Sequence, residues 1–197
     1  MQNSNNGIPD RLADGSAPTD SDSLLQELAS LGIDAPTIEH PPMFTVEDSK
    51  ALRVTPGGQG DIKNLFLRNK KGRMWLVSCH EDREVDLKAL AKALGAGRFS
   101  FASEARMMAY LGIKPGSVSP LALVNDRTRA VRFAIDRDLM KTEVIYLHPL
   151  VNTRTTTIAT DDLLAYCAKT GHPADIITFA EDGLHCEFVE HDETDHV

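Results

Sequence analysis

Cysteine and long apolar runs are scarce in this chain of 197 residues. Cys79, Cys167 and Cys186 lie far apart, so there is neither a disulfide framework nor a Cys-x-x-Cys metal pair. No apolar stretch approaches the ~18–20 residues that a membrane span needs. The opening MQNSNNGIPDRLADG lacks the charged-then-apolar pattern of an export signal. These absences point to a reduced, cytoplasmic protein with no membrane partner. Also missing are an internal repeat, a regular strand–helix–strand alternation, and any helix that combines a run of Arg or Lys with base-reading Asn or Gln. The last absence argues against sequence-specific DNA recognition.

What is present is an ordinary globular composition, 42% hydrophobic and 25% charged, with a formal net charge of -8. The acidity sits at the ends. Residues 181–197 carry seven acids and no Lys or Arg, and the first 22 are also acidic. The middle is close to neutral, so the overall charge does not exclude a nucleic-acid partner. Within the middle, DIKNLFLRNKKGR (61–73) places Lys63, Arg68, Lys70, Lys71 and Arg73 together, with no acid from Lys63 to Arg73.

Punctuation and periodicity divide the chain into a disordered leader (1–21), one folded domain (22–180) and an acidic tail (181–197). SDSLLQELASLGI reads as a helix capped by Asp22 or Ser23 and stopped by Gly32. TVEDSKAL reads as a short helix and VTPGGQGD as a glycine-rich loop. IKNLFLR and RMWLVSC form a hairpin whose turn, Asn69–Gly72, is basic. EVDLKALAKALG and SEARMMAYLG are helices, as is TDDLLAYCAKTG, with Thr160 as its cap. LALVN, AVRFAID, EVIYLHP, TTTIAT and ADIITF are strand-like. Strands and helices mixed in this order predict an α+β fold, a mixed central sheet with helices packed around it.

Three local features carry possible chemistry: Lys63 behind the glycine-rich loop, LGIKPGSVSP (111–120), and YLHPLVNTRTTT (146–157). Each also has a structural reading: a lysine snorkelling at a sheet edge, a turn, and a histidine at a strand end. Cys79–His80 is a weak nucleophile pair, because adjacent strand residues point to opposite faces. His185, Cys186, His191 and His196 fit no standard zinc spacing. No cofactor and no metal are expected.

Taken together, these segments resemble the YbaK-like family of aminoacyl-tRNA editing domains, and most closely its free-standing prolyl-tRNA deacylases. HPPMFTVEDSKAL (40–52) resembles the family's opening segment, and KNLFLRNKKGRMWLVS its lysine-bearing strand and hairpin. Gly116 to Pro120 resembles its Gly-x-x-x-Pro loop, and LHPLVNTRTTTIATDDLLAY its His-Pro segment and final helix. The resemblance spans residues 22–180. It implies hydrolysis of mischarged tRNA(Pro), above all alanyl-tRNA(Pro), with cysteinyl-tRNA(Pro) or a non-catalytic tRNA- or synthetase-binding module as the alternatives. Prolyl-tRNA synthetase is then a possible partner. By the same resemblance, Lys63 would anchor the tRNA terminus. The Gly116–Pro120 loop, with Ser117, would present N–H groups to the ester carbonyl, and His148 would border the aminoacyl pocket. Asn152 and Thr153 would add polar contacts; Asn64 ranks lower, since it faces away from Lys63. Arg68, Lys70, Lys71 and Arg73 would meet acceptor-stem phosphates.

Overall fold

MWLVSC is apolar on both alternating faces, which a strand tolerates only when layers cover it on each side. In the computed structural model this segment is β3 (Met74–His80), and Met74 to Cys79 are all buried. The structure describes residues 9–43, 47, 48, 50, 60–181 and 183–189.

Around β3 stand β2 (Ile62–Arg68), β4 (Ser100–Phe101), β5 (Val131–Asp136), β8 (Ala174–Ala180) and β9 (Gly183–Glu187). They form a six-stranded sheet of order β4-β2-β3-β5-β8-β9. β3–β5 and β5–β8 are parallel; β2–β3, β2–β4 and β8–β9 are antiparallel. A second sheet joins β1 (Thr37–Glu39), β7 (Arg154–Ala159) and β6 (Val144–Leu147) in the order β1-β7-β6. This is the mixed α+β architecture that the sequence predicts.

The period-2 alternation of β2 sends Phe66 to one side of the large sheet and Leu67 to the other. On the Phe66 side, Leu76, Phe133 and Ile135 pack with Leu24, Leu121, Ile145, Ile158 and Tyr166. On the Leu67 side, Trp75, Val77, Ala134 and Ile177 lie beneath Leu90, Ala91 and Leu94 of the Leu87–Ala93 helix and its cap. The small sheet therefore closes the first core, and one amphipathic helix closes the second.

Several local expectations shift. The first helix, Ser21–Ser30, is capped by Asp20 rather than Asp22 or Ser23, because the Asp20 carboxylate accepts from Ser23 N at 2.8 Å. Thr160 is the first residue of the Thr160–Lys169 helix, not its cap; its hydroxyl donates to Thr142 O at 2.7 Å. LALVN is not a strand. Ser119 accepts from Leu121 N at 3.2 Å and Pro120 opens a 3₁₀ helix, Pro120–Asn125, so local capping overrides strand propensity.

The ends of the fold also lie outside the expected boundaries. Leu12 is buried, Ala13 N donates to Ala109 O and Thr19 N to Asn125 Oδ1, so residues from within the expected leader pack on the domain. β9 lies within the expected acidic tail, where Leu184 and Cys186 pack on the second core. Most of the expected 45–52 helix and of the 54–61 loop lies outside the described residues.

Candidate active site

β2 and β6 meet at one point. Asp61 bridges Tyr146 in parallel, and Tyr146 N donates to Gly60 O at 3.1 Å. The approach is close enough that a Cβ on Gly60 would lie 2.5 Å from Val144 O, which explains a glycine here. Lys63 stands two residues beyond the bridge on one strand and His148 two residues beyond it on the other. Both chains leave the bridge in the same direction.

Asn64, ranked below Lys63 from sequence, reaches the Gly116–Pro120 loop from β2. Its Nδ2 donates to Val118 O at 2.9 Å, while its Oδ1 accepts from Ser78 Oγ at 2.6 Å. Gly116 has a φ of 87°, a left-handed value that favours glycine. Ser117 N donates to Lys114 O, so its N–H is committed, whereas those of Gly116 and Val118 have no partner among the described residues. Ser117 and Pro120 are themselves buried.

Lys63 lies opposite Cys79 in the hairpin register and is half-buried. Its ammonium makes no ion pair or hydrogen bond among the described residues. Burial pushes the Cys79 thiol up to about 12 despite the opposing Lys63 charge. A thiol held protonated is no nucleophile near neutral pH.

His148 is oriented rather than free. Its Nδ1 is 2.8 Å from Arg154 O, and a carbonyl only accepts, so Nδ1 carries the proton. Burial, opposed by that hydrogen bond and reinforced by neighbouring His40, holds the imidazole below the usual histidine range. The neutral ring thus leaves Nε2 as an acceptor. Leu150 N donates back to His148 O, with Leu150 at a φ of 66° and its side chain buried. A bulky residue held there is a strained position of the kind that collects at functional sites.

The 40–43 segment docks on the same loop. His40 N donates to Thr153 O, Met43 N to Asn152 O, and Asn152 Nδ2 to Met43 O at 3.0 Å. The His40 and His148 rings lie 5.9 Å apart between centroids. Beside them, Arg154 pairs with both Asp22 and Glu39. These residues, with His40 and Thr153, line an open cleft of about 460 Å³.

The basic turn lies at the far end of β2, roughly 20 Å from Lys63 at ~3.3 Å per residue. Asn69 organises it, accepting from Lys71 N and Arg73 N and donating to Ala96 O at 3.1 Å. Arg68 is half-buried; Lys70, Lys71 and Arg73 are exposed. None of the four makes an ion pair among the described residues.

The family model for the aminoacyl-tRNA editing domain matches residues 40–166, from the docked His40 segment into the last long helix. The chain belongs to the aminoacyl-tRNA editing domain family. It is 35% identical to the prolyl-tRNA editing protein ProX of Acetoanaerobium sticklandii, over 72% of this chain and 86% of that protein. It is 40% identical to the Xenopus laevis prolyl-tRNA synthetase associated domain-containing protein 1, over 79% and 95%. A solved structure described as a candidate trans-editing enzyme for prolyl-tRNA synthetase shares the fold, with a TM-score of 0.60 at 18% identity over 88% of this chain and all of that one.

Against this editing-domain frame, the sequence reading missed three things. The Asn64 bridge between strand and loop was invisible because the loop lies 54 residues away. The pairing of Arg154 with Asp22 and Glu39 joins elements more than a hundred residues apart. Arg98, exposed beside the basic turn, was outside every motif. His185 and Cys186 are adjacent on β9 and point to opposite faces, while His191 and His196 lie outside the described residues. Among the described residues, no helix is long and apolar enough to cross a membrane.

Proposed function

We propose that the protein hydrolyses the aminoacyl ester of mischarged tRNA(Pro), with alanine as the amino acid removed, acting in the cytoplasm after the tRNA leaves prolyl-tRNA synthetase. As an editing enzyme it is an aminoacyl-tRNA hydrolase. The physical need is clear: a synthetic site that accepts proline gains only ~1–3 kcal/mol per missing methylene against alanine. A second site too small for proline supplies the remaining discrimination.

The observation that carries this reading is the Asn64 bridge. It ties the Gly116–Pro120 loop to β2 one residue from Lys63, whose side chain leaves the other face of the strand, so one strand end carries both the loop of backbone donors and the anchor. In the reaction, the water oxygen adds to the ester carbonyl carbon. The resulting oxyanion is met by the uncommitted N–H groups of Gly116 and Val118. Collapse expels the terminal ribose oxygen, which takes up the proton that the water gives up. Lys63, a compact point charge, holds the phosphate or terminal adenosine. His148 Nε2 accepts from the water or from the substrate amine. Thr153 and Asn152 shape the adjoining wall, and the Arg68, Lys70, Lys71 and Arg73 cluster meets acceptor-stem phosphates. An activated ester needs little more than orientation and oxyanion stabilisation.

Deacylation of alanyl-, cysteinyl- and prolyl-tRNA(Pro) by wild type beside Lys63→Ala tests the reading. Alanine is released and proline is spared, while Lys63→Ala lowers kcat/KM at least ~100-fold. Cleavage of the cysteinyl ester alone moves the specificity. Tight tRNA binding with no ester cleaved makes the protein a binding module and overturns the catalytic roles.

A further inference from the structure

We propose that Phe101 is a stacking platform for an unpaired base in the single-stranded 3′ end of the tRNA, and that Arg98 joins the basic turn in holding the flanking phosphates. This rests on the editing reading above.

Phe101 is 60% exposed, more than any other large apolar side chain among the described residues. It does not dangle from a loop. On β4 it pairs in register with Leu67, and Ser100 pairs with Arg68. Phe99 on one side is buried edge-on against Trp75, with ring centroids 5.0 Å apart, and Ala102 N on the other donates to Phe66 O at 2.9 Å. Phe188, the next most exposed, is covered by the Arg132 guanidinium 5.4 Å from its ring. Phe101 has no such cover among the described residues.

The surroundings select a polyanion. The Asn69 Nδ2 to Ala96 O bond ties the loop that carries Arg98 to the basic turn. Lys70, Lys71 and Arg73 follow Leu67, the register partner of Phe101, along the chain and Arg98 precedes Phe101 by three residues, while Arg68, opposite Ser100, leaves the other face; none of the five makes an ion pair among the described residues. An aromatic face set among unpaired cations is the arrangement that binds single-stranded nucleic acid.

The spacing fits the same strand. Phe101 stands beside Leu67, four residues along β2 from Lys63, about 13 Å away. That is about four nucleotides at the stacked rise of ~3.4 Å, and fewer if the strand is extended. With the terminal adenosine held at Lys63, a partly extended strand brings one of the three unpaired nucleotides that precede it to Phe101.

The test uses the full chain and uncharged tRNA(Pro), intact or trimmed of its unpaired 3′ nucleotides, with 2-aminopurine replacing the unpaired base next to the acceptor stem. Phe101→Ala weakens binding of intact tRNA about tenfold, abolishes the 2-aminopurine quench, and leaves binding of trimmed tRNA alone. Phe101→Trp restores both signals. Arg98→Ala lowers the slope of log affinity against log salt by about one. With charged tRNA, the Phe101→Ala loss falls on KM rather than kcat. Equal affinity of Phe101→Ala and wild type overturns the proposal, as does an equal loss on both RNAs or an effect confined to prolyl-tRNA synthetase binding. A wild type that quenches the base yet cleaves no ester instead sinks the editing reading and keeps the platform.

Discussion

The two ends of β2 are built on opposite plans. At the Lys63 end, polar side chains are spent on one another: Asn64 on Ser78 and Val118, His148 on Arg154 O, Asn152 on Met43 O. At the turn, Asn69 alone is committed, and four cationic side chains border solvent with no ion pair among the described residues. The first plan fixes geometry, as a reacting centre requires. The second leaves charge free to adapt to a phosphate backbone, and its attraction is screened by salt. One strand thus joins a rigid end, which the proposed function makes the chemical one, to an adaptable end that the same proposal makes the binding one.

The comparison breaks most severely at Asn64. Asn64→Ala strands the Ser78 hydroxyl, itself 1% exposed, and frees the Val118 carbonyl. The expected cost is about 1–3 kcal/mol, read as a fall in Tm, together with a larger fall in kcat because the loop loses its anchor. Asn64→Asp separates the two effects, since it keeps an acceptor for Ser78 and loses the donor to Val118. Single-turnover deacylation and thermal denaturation of both variants decide the matter. If kcat survives in both, the bridge is structural only. At the other end, Lys70→Ala with Lys71→Ala should move Tm by no more than about 0.5 kcal/mol equivalent, as exposed sites do. It should weaken tRNA binding several-fold at low salt and lower the salt slope by about two. An unchanged slope would mean that the turn meets no phosphate.

What the sequence disclosed follows the range of the interactions. The β2–β3 hairpin, its basic turn and the Gly95 and Gly112 stops are local, set by alternation and turn residues, and the structure has them. Lys63, Gly116 and His148 were legible as motifs; their mutual arrangement was not. It depends on the Asp61–Tyr146 bridge and the Asn64–Val118 bond, contacts across 85 and 54 residues that no local pattern encodes. The LALVN strand failed because Ser119 and Pro120 supply a helical start that outweighs β propensity in so short a run. Strand β9 was hidden by the acids around it: it sits inside a segment of seven acids, so GLHCE reads as tail although Leu184 and Cys186 pack inward.

The finest test of the rigid end is pH. His148 is held below the usual histidine range, chiefly by burial. The unfolded chain therefore binds a proton near pH 6.5 that the folded chain refuses. Stability is independent of this group above that pH and declines as pH drops through ~6.5 towards the depressed folded value. Catalysis should follow the same side: if Nε2 must accept, the rate is level through neutrality and falls only in acid. His148→Asn keeps a donor for Arg154 O but cannot ionise. It should lower the plateau, remove the acid limb of the rate profile and flatten the acid-side loss of Tm. A rate profile whose acid limb persists in His148→Asn assigns that proton to another group and leaves His148 as a wall of the pocket.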